Sequence, residues 1–145
     1  AAPALARLDA TAEAGQPSPF LREAARAQGR GLRRSAAVLW PDATSLACEV
    51  QPVVLGAVAA LAGLAPVAAA RLATYGVAMT IASAAAKLAA LDMADALAVL
   101  AGLAADIDGV AADAAATPEL RARSAPWHEL RAERHRAWEV RLFAS

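Results

Sequence analysis

About a third of this 145-residue chain is alanine, and that limits the fold more than any motif in it. Alanine is the strongest helix former and buries little area. β-Branched residues are scarce and no segment alternates with period two, so nothing reads as a strand. Aromatic residues make up only 4% of the chain, so cohesion must come from close helix–helix approach rather than from large side chains. The sequence predicts an all-α, single-domain antiparallel helical bundle over residues 1–126, followed by a C-terminal partner-binding tail at 127–145.

Proline, glycine and capping residues punctuate the helices. Residues 3–13 read as a first helix, ending before Gly15 and Pro17. Ser18 offers an N-cap with Pro19 at the first helical position, and this second helix is expected to run to about Trp40, just before Pro41. Leu21, Ala25, Leu32, Ala36 and Leu39 share one side of it, and Arg22, Arg26, Arg30 and Arg33 stripe the other. Pro52 opens a third helix ended by Gly63, and Pro66 a fourth that reaches towards Ala90. Asp92 caps a fifth, with Asp95 near its start complementing the helix dipole, and that helix fades towards Pro118. The small residues of "GAVAALAG" (56–63) and "ASAAA" (82–86) are expected to let backbones pack closely and to support self-association.

Net charge is zero, but residues 1–40 carry six arginines against three acids, and 92–116 carry five aspartates with no base. A neutral chain gives no global argument for nucleic acid or membrane. The uncharged runs 53–70 and 72–86 are broken by Gly and Pro or rich in Ala, Ser and Thr, so buried core helices are expected rather than membrane spans. Cys48 is the single cysteine, which excludes an internal disulfide and suits a reducing cytoplasm. The opening "AAPALARLDATAE" lacks the basic and apolar regions of a signal peptide.

Candidate chemistry is sparse. His128 and His135 stand seven apart, two helical turns, too far to chelate one ion within a chain; a site shared across a dimer, with Cys48, is the alternative. "DIDGVAAD" (106–113) lacks the ligand set of a calcium loop, and "GRG" (29–31) lacks the ending of a phosphate loop. No nucleophile has a base and an orienting acid, so no enzyme is expected. The arginine stripe reads as a solvated face or a protein contact. Lys87 is expected to snorkel or to pair with an aspartate of the next helix, and Tyr75 to anchor the core with its hydroxyl at the edge. The tail differs: Trp127, Trp138 and Phe143 stand among arginines and glutamates, and arginine, tryptophan and phenylalanine are the types enriched at interface hot spots. Too few apolar positions are present for a core of its own, so residues 127–143 are expected to order on a partner, the alternative being a tail packed back on its own bundle.

Those residues also carry a resemblance. His135 followed by "RLF" (141–143) and closing on Ser145 resembles the final segment of the UreF family of urease accessory proteins. "REAARAQGRGLRR" (22–34), "QPVVLGAVAALAGL" (51–64), Tyr75, "SAAAKL" (83–88) and Leu91 follow in that family's order and approximate spacing. Ala144 replaces the family's last arginine, Ala90 and Asp92 stand where a Pro-Leu-Gly turn is usual, and Thr80 stands for a common asparagine. The family's N-terminal Pro-x-Gly and Ser-x-Gly-Leu-Glu stretch has no counterpart, so the chain looks like the last two thirds of such a protein.

The resemblance implies a cytoplasmic, non-enzymatic chaperone that dimerises, binds a UreD/UreH-type accessory protein, and recruits the UreG GTPase for nickel insertion into apo-urease. No cofactor is held tightly; nickel is handled by the complex. Partner binding would fall on Arg134, His135, Trp138, Arg141, Leu142 and Phe143, with Tyr75 and Lys87 on the dimer or GTPase surface. The competing reading is a generic helical adaptor or membrane-surface scaffold unrelated to urease.

Overall fold

The computed structural model describes residues 2–117 and 125–138, and every regular element among them is helical. Helix α1 spans Ala2–Ala14 and α2 spans Pro19–Ala36. Ser18 is extended and its hydroxyl accepts the Leu21 N–H at 3.2 Å, as its position before Pro19 predicts. The far end of α2 differs from the expectation: it stops at Ala36 rather than near Trp40. The amides of Leu39 and Trp40 both fold back on the Ala36 carbonyl, at 3.0 and 2.8 Å. Pro41 in turn requires an extended Trp40 (φ −127°, ψ 91°) and opens a short 3₁₀ turn, Pro41–Ser45.

Helix α3 (Gln51–Leu61) carries Pro52 in its first turn and is followed by Gly63 at φ +73°. Helix α4 runs Pro66–Ala89 and closes on Ala90 in the left-handed region (φ 50°), with the Leu91 N–H on the Ala86 carbonyl at 3.0 Å. Asp92 caps the next helix by accepting the Ala94 N–H at 2.9 Å. The single fifth helix expected there is two, α5 (Met93–Gly102) and α6 (Ala104–Ala116). At the break the Leu103 N–H returns to the carbonyls of Val99 and Leu100, at 3.2 and 3.1 Å. Helix α7 spans Pro126–Arg136.

Length alone argues for one core, whereas the contacts divide these helices between two compact units. In the first, α1, α2, α3 and the 3₁₀ turn surround Ala43 and Val54, which are fully enclosed, together with Ala36, Cys48, Ala57 and Val58, and α7 lies against α2. Leu5, Leu32, Trp40 and Leu61 close over them. The close backbone approach expected of so alanine-rich a chain occurs at Gly29. A Cβ there would fall 1.8 Å from the Glu49 carbonyl oxygen, so α2 and the strand of chain leading into α3 touch through their backbones. Gly56 has nothing within 4 Å of such a Cβ, and Ala57, Val58 and Ala59 are buried. The 56–63 stretch therefore serves this core with Ala57 and Val58, while Gly56, Ala60 and Gly63 are exposed.

In the second unit α4 packs against α6 and α5, burying Ala86, Leu100, Ile107 and Ala111. Here the expectation of a buried core helix fails, since Ala86 is the one buried residue of α4. Val77, Ile81 and Leu88, spaced by four and seven on one side, are 64%, 66% and 64% exposed. Another side of α4 meets α5 and α6 around an open cavity of about 640 Å³, lined by Leu64, Leu72, Tyr75, Leu97, Leu100 and Ile107. Arg71 and Asp108 also line it and pair across it, Nε to Oδ1 at 2.5 Å. Among the described residues α4 is the one helix long and apolar enough to cross a membrane by length and composition.

Candidate partner-docking site

The arginine stripe of α2 has internal employment. Arg22 donates to the carbonyls of Gln16 and Pro17 at 2.7 and 2.8 Å, and Arg26 pairs with Glu13 at the end of α1. Arg30 pairs with Glu49 at 3.3 Å, while Arg33 donates to the carbonyls of Leu46 and Cys48 at 3.2 and 3.3 Å. The spacing of four, four and three that reads as a solvated face or a protein contact thus stitches α2 to the segments on either side of it. Asp9 of α1 completes the stitching: its carboxylate accepts the N–H groups of Glu49 (3.1 Å) and Val50 (2.9 Å) at the start of α3. Helix α3 has no side-chain cap of its own, so a neighbouring helix supplies the acid that its positive end favours.

A second borrowed cap holds α7. Pro19 removes one N–H from the start of α2 and Ser18 satisfies that of Leu21, which leaves Phe20. In a capping box an acid at the third helical position would help close the end, but that position is Leu21. Glu133 of α7 takes over: its Oε1 accepts the Phe20 N–H at 3.1 Å and the Ser18 hydroxyl. These bonds, the hydroxyl first and the amide second, hold the Glu133 carboxyl below the usual carboxylate range. Partial burial opposes the shift, and Arg136 and Arg22 add to it. Beside the clasp the His135 ring lies 6.4 Å from that of Phe20 and 5.0 Å from that of Trp138, tilted against both.

With Glu129, Ala132, Glu133 and His135 part-buried, α7 turns its other side outward. Trp127 is 78% exposed there and Trp138, just past the helix end, 60%; Leu130 and Arg134 lie between them, also exposed. At helical spacing Trp127, Leu130 and Arg134 share one face. Two tryptophans, a leucine and an arginine facing solvent are the composition of an interface centre without its partner.

Of the residues singled out from sequence, Arg134, His135 and Trp138 belong to this site. Arg141, Leu142 and Phe143 lie outside the described residues. Residues 127–138, expected to order on a partner, are already helical over most of their length and joined to α2. Tyr75 lines the cavity of the second unit, its hydroxyl 4.0 Å from Met79 Sδ, and does not anchor a closed core. Lys87 sits in the last turn of α4, where a cation complements the helix dipole. Twelve residues of helix separate the two by about 18 Å. His128 is exposed while His135 stacks on aromatic rings, and among the described residues no three His, Cys, Asp or Glu side chains converge. Phe20 and Glu133 are site residues that the sequence did not single out, and Ser18 was legible only as the cap of its own helix. The one signal for them was the missing acid at Leu21.

The UreF family model matches residues 1–104. The urease accessory protein UreF of Mycobacterium sp. (strain JLS) is 43% identical over 97% of this chain and 67% of its own length. The UreF proteins of Mycolicibacterium vanbaalenii and Mycobacterium marinum are each 39% identical over 94% of this chain, and 64% and 65% of their own lengths. The chain therefore spans about two thirds of the length of these curated relatives. No solved structure matches it. An all-helical chain with this tail, matched along nearly its whole length, belongs to the UreF family of urease accessory proteins.

Proposed function

We propose that this chain is a non-catalytic chaperone of urease maturation that works in the cytoplasm by bringing other proteins together. It docks a UreD/UreH-type accessory protein on α7 and the residues after it, dimerises, and recruits a UreG-type GTPase so that the complex loads nickel into apo-urease. The observation that carries the docking reading is the outward face of α7, with Trp127 and Trp138 largely exposed on a helix whose other side is engaged. The dimer reading has separate support: a helix apolar on several sides is normally buried, yet Val77, Ile81 and Leu88 of α4 face solvent in the single chain.

Co-purification with the cognate UreD/UreH-type protein tests the docking reading. Truncating an aromatic anchor at an interface centre costs about 2–4 kcal/mol, roughly 30- to 1000-fold in affinity. Phe143→Ala and Trp138→Ala should each abolish co-purification and leave helicity and melting nearly unchanged. Wild-type binding by both variants would remove the reading. A membrane-surface role has one observation in its favour, the length and apolar character of α4. Flotation of the chain with lipid vesicles in the absence of any partner would favour it.

A further inference from the structure

Helix α7 is poorly equipped to hold its own place. It has 11 residues and none of them is buried. Isolated helices of this length are marginal in water. Its part-buried residues are Glu129, whose carboxylate accepts the Ala125 N–H at the start of the same helix, and Ala132, Glu133 and His135, two carboxylates, a methyl group and an imidazole in all. Hydrophobic area of that kind cannot fix an orientation. What remains is the clasp at the start of α2 and the row of rings Phe20, His135 and Trp138 next to it. The last ring of that row belongs to the exposed docking face.

We propose that Glu133 is a positioning residue: held by the Ser18 hydroxyl and the Phe20 N–H, it latches α7 in the one orientation that presents Trp127, Leu130 and Trp138 together to the accessory protein. The proposal rests on the docking reading above and adds the element that sets its geometry. The latch joins residues 115 positions apart, so no local preference of α7 replaces it. Opening it leaves a short, unburied helix free to fray and to turn, and each encounter with the partner must then restore both helix and orientation.

The test uses the full chain and the cognate UreD/UreH-type protein as probe. Glu133→Ala should speed amide exchange in α7 while the other helices of its unit stay protected, and weaken partner affinity on the order of tenfold. Ser18→Ala also removes the Leu21 cap, so Ser18→Asp is the more telling variant. Aspartate caps the helix as well as serine does, yet sets a second carboxylate against Glu133. Its melting should stay near wild type while exchange in α7 and partner affinity change as in Glu133→Ala. Adding Glu133→Gln to Ser18→Asp removes the repulsion and should restore both. If Glu133 instead touched the partner directly, Ser18→Asp would leave affinity unchanged and the two substitutions would be additive, which overturns the latch. Loss of binding in Phe143→Ala beside wild-type affinity in Glu133→Ala and Ser18→Asp overturns the latch and leaves the docking reading standing. Wild-type binding in Phe143→Ala and Trp138→Ala removes both.

Discussion

Replacing Gly29 by alanine puts the close approach of α2 and the 48–51 segment to a quantitative test. The new methyl carbon would stand 1.8 Å from the Glu49 carbonyl oxygen, 2.8 Å from its carbon and 3.0 Å from the Gln51 nitrogen. All three are backbone atoms, so no side chain can swing aside. To reach even 3.0 Å the segment must retreat by at least about 1.2 Å. It is not free to do so, because Asp9 holds the Glu49 and Val50 amides and Arg33 holds the Cys48 carbonyl. Overpacking of this kind costs about 1–3 kcal/mol, and each hydrogen bond to a charged group given up adds about 1.5–3. The better helix propensity of alanine returns about 1 kcal/mol. The balance is a loss of about 3 kcal/mol, a large share of the roughly 5–15 that holds a domain together. For a chain of this size the melting temperature should fall on the order of 10 °C, read by circular dichroism at 222 nm. Gly31, two residues along the same helix, is the control. Nothing lies within 4 Å of its would-be Cβ, so Gly31→Ala should stabilise by about 0.5–1 kcal/mol. If the two alanine variants melt together, the backbone contact at Gly29 does not exist in solution.

Ala90 occupies a left-handed backbone position (φ 50°) that glycine adopts without strain; Ala90→Gly should gain about 1 kcal/mol in urea unfolding, and a loss would mean that the α4 terminus is built otherwise. Removing the borrowed cap of α3 by Asp9→Ala should cost about 1–2 kcal/mol, against no change if the carboxylate merely rests on the surface. Burial first, and Asp9 second, push the Cys48 thiol up despite the opposing Arg33. The folded chain should accordingly react with Ellman's reagent only as fast as it opens, and immediate stoichiometric labelling at pH 8 would contradict the buried site. The lowered Glu133 carboxyl gives the clasp a pH signature. A group depressed in the folded state stabilises fully above its unfolded value and loses that contribution as pH falls through the folded one. Protection of the α7 amides, taken relative to their intrinsic exchange at each pH, should therefore be flat from neutrality down into the ordinary glutamate range and fall only in stronger acid, a fall that Glu133→Gln should remove.

Helix starts were legible because they are local chemistry. Ser18 before Pro19, Pro52, Pro66 and Asp92 each satisfy or remove N–H groups within a few residues, and each helix begins within a residue of the expected place. Helix ends were harder. The stop at Ala36 depends on what Pro41 requires of Trp40, and the break at Leu103 on carbonyls competing for one amide. The arginine spacing on α2 was plain, but its destinations at Glu13, Leu46, Cys48 and Glu49 arise only when the chain folds back. In the same way composition pointed to small residues as packing sites, while the geometry chose Gly29 over Gly56. Of the docking site, the aromatic and charged residues could be read directly. The clasp that orients them could not, because its two halves are read as separate motifs, a serine cap and a charged tail.

The distance between those halves sets a clock. All of α3, α4, α5 and α6 is synthesised after Ser18 and before Glu133. At about 5–20 residues per second, roughly 6 to 23 s pass between the emergence of one and the other. Throughout that interval the first turn of α2 lacks the acceptor for its Phe20 amide, and the docking face does not yet exist. A chain that ends before α7 keeps the Ser18 cap on Leu21 but leaves the Phe20 amide to solvent and has no oriented aromatic face to offer. The latch, and the orientation it gives the aromatic face of α7, therefore cannot form until the whole stretch between Ser18 and Glu133 has been made.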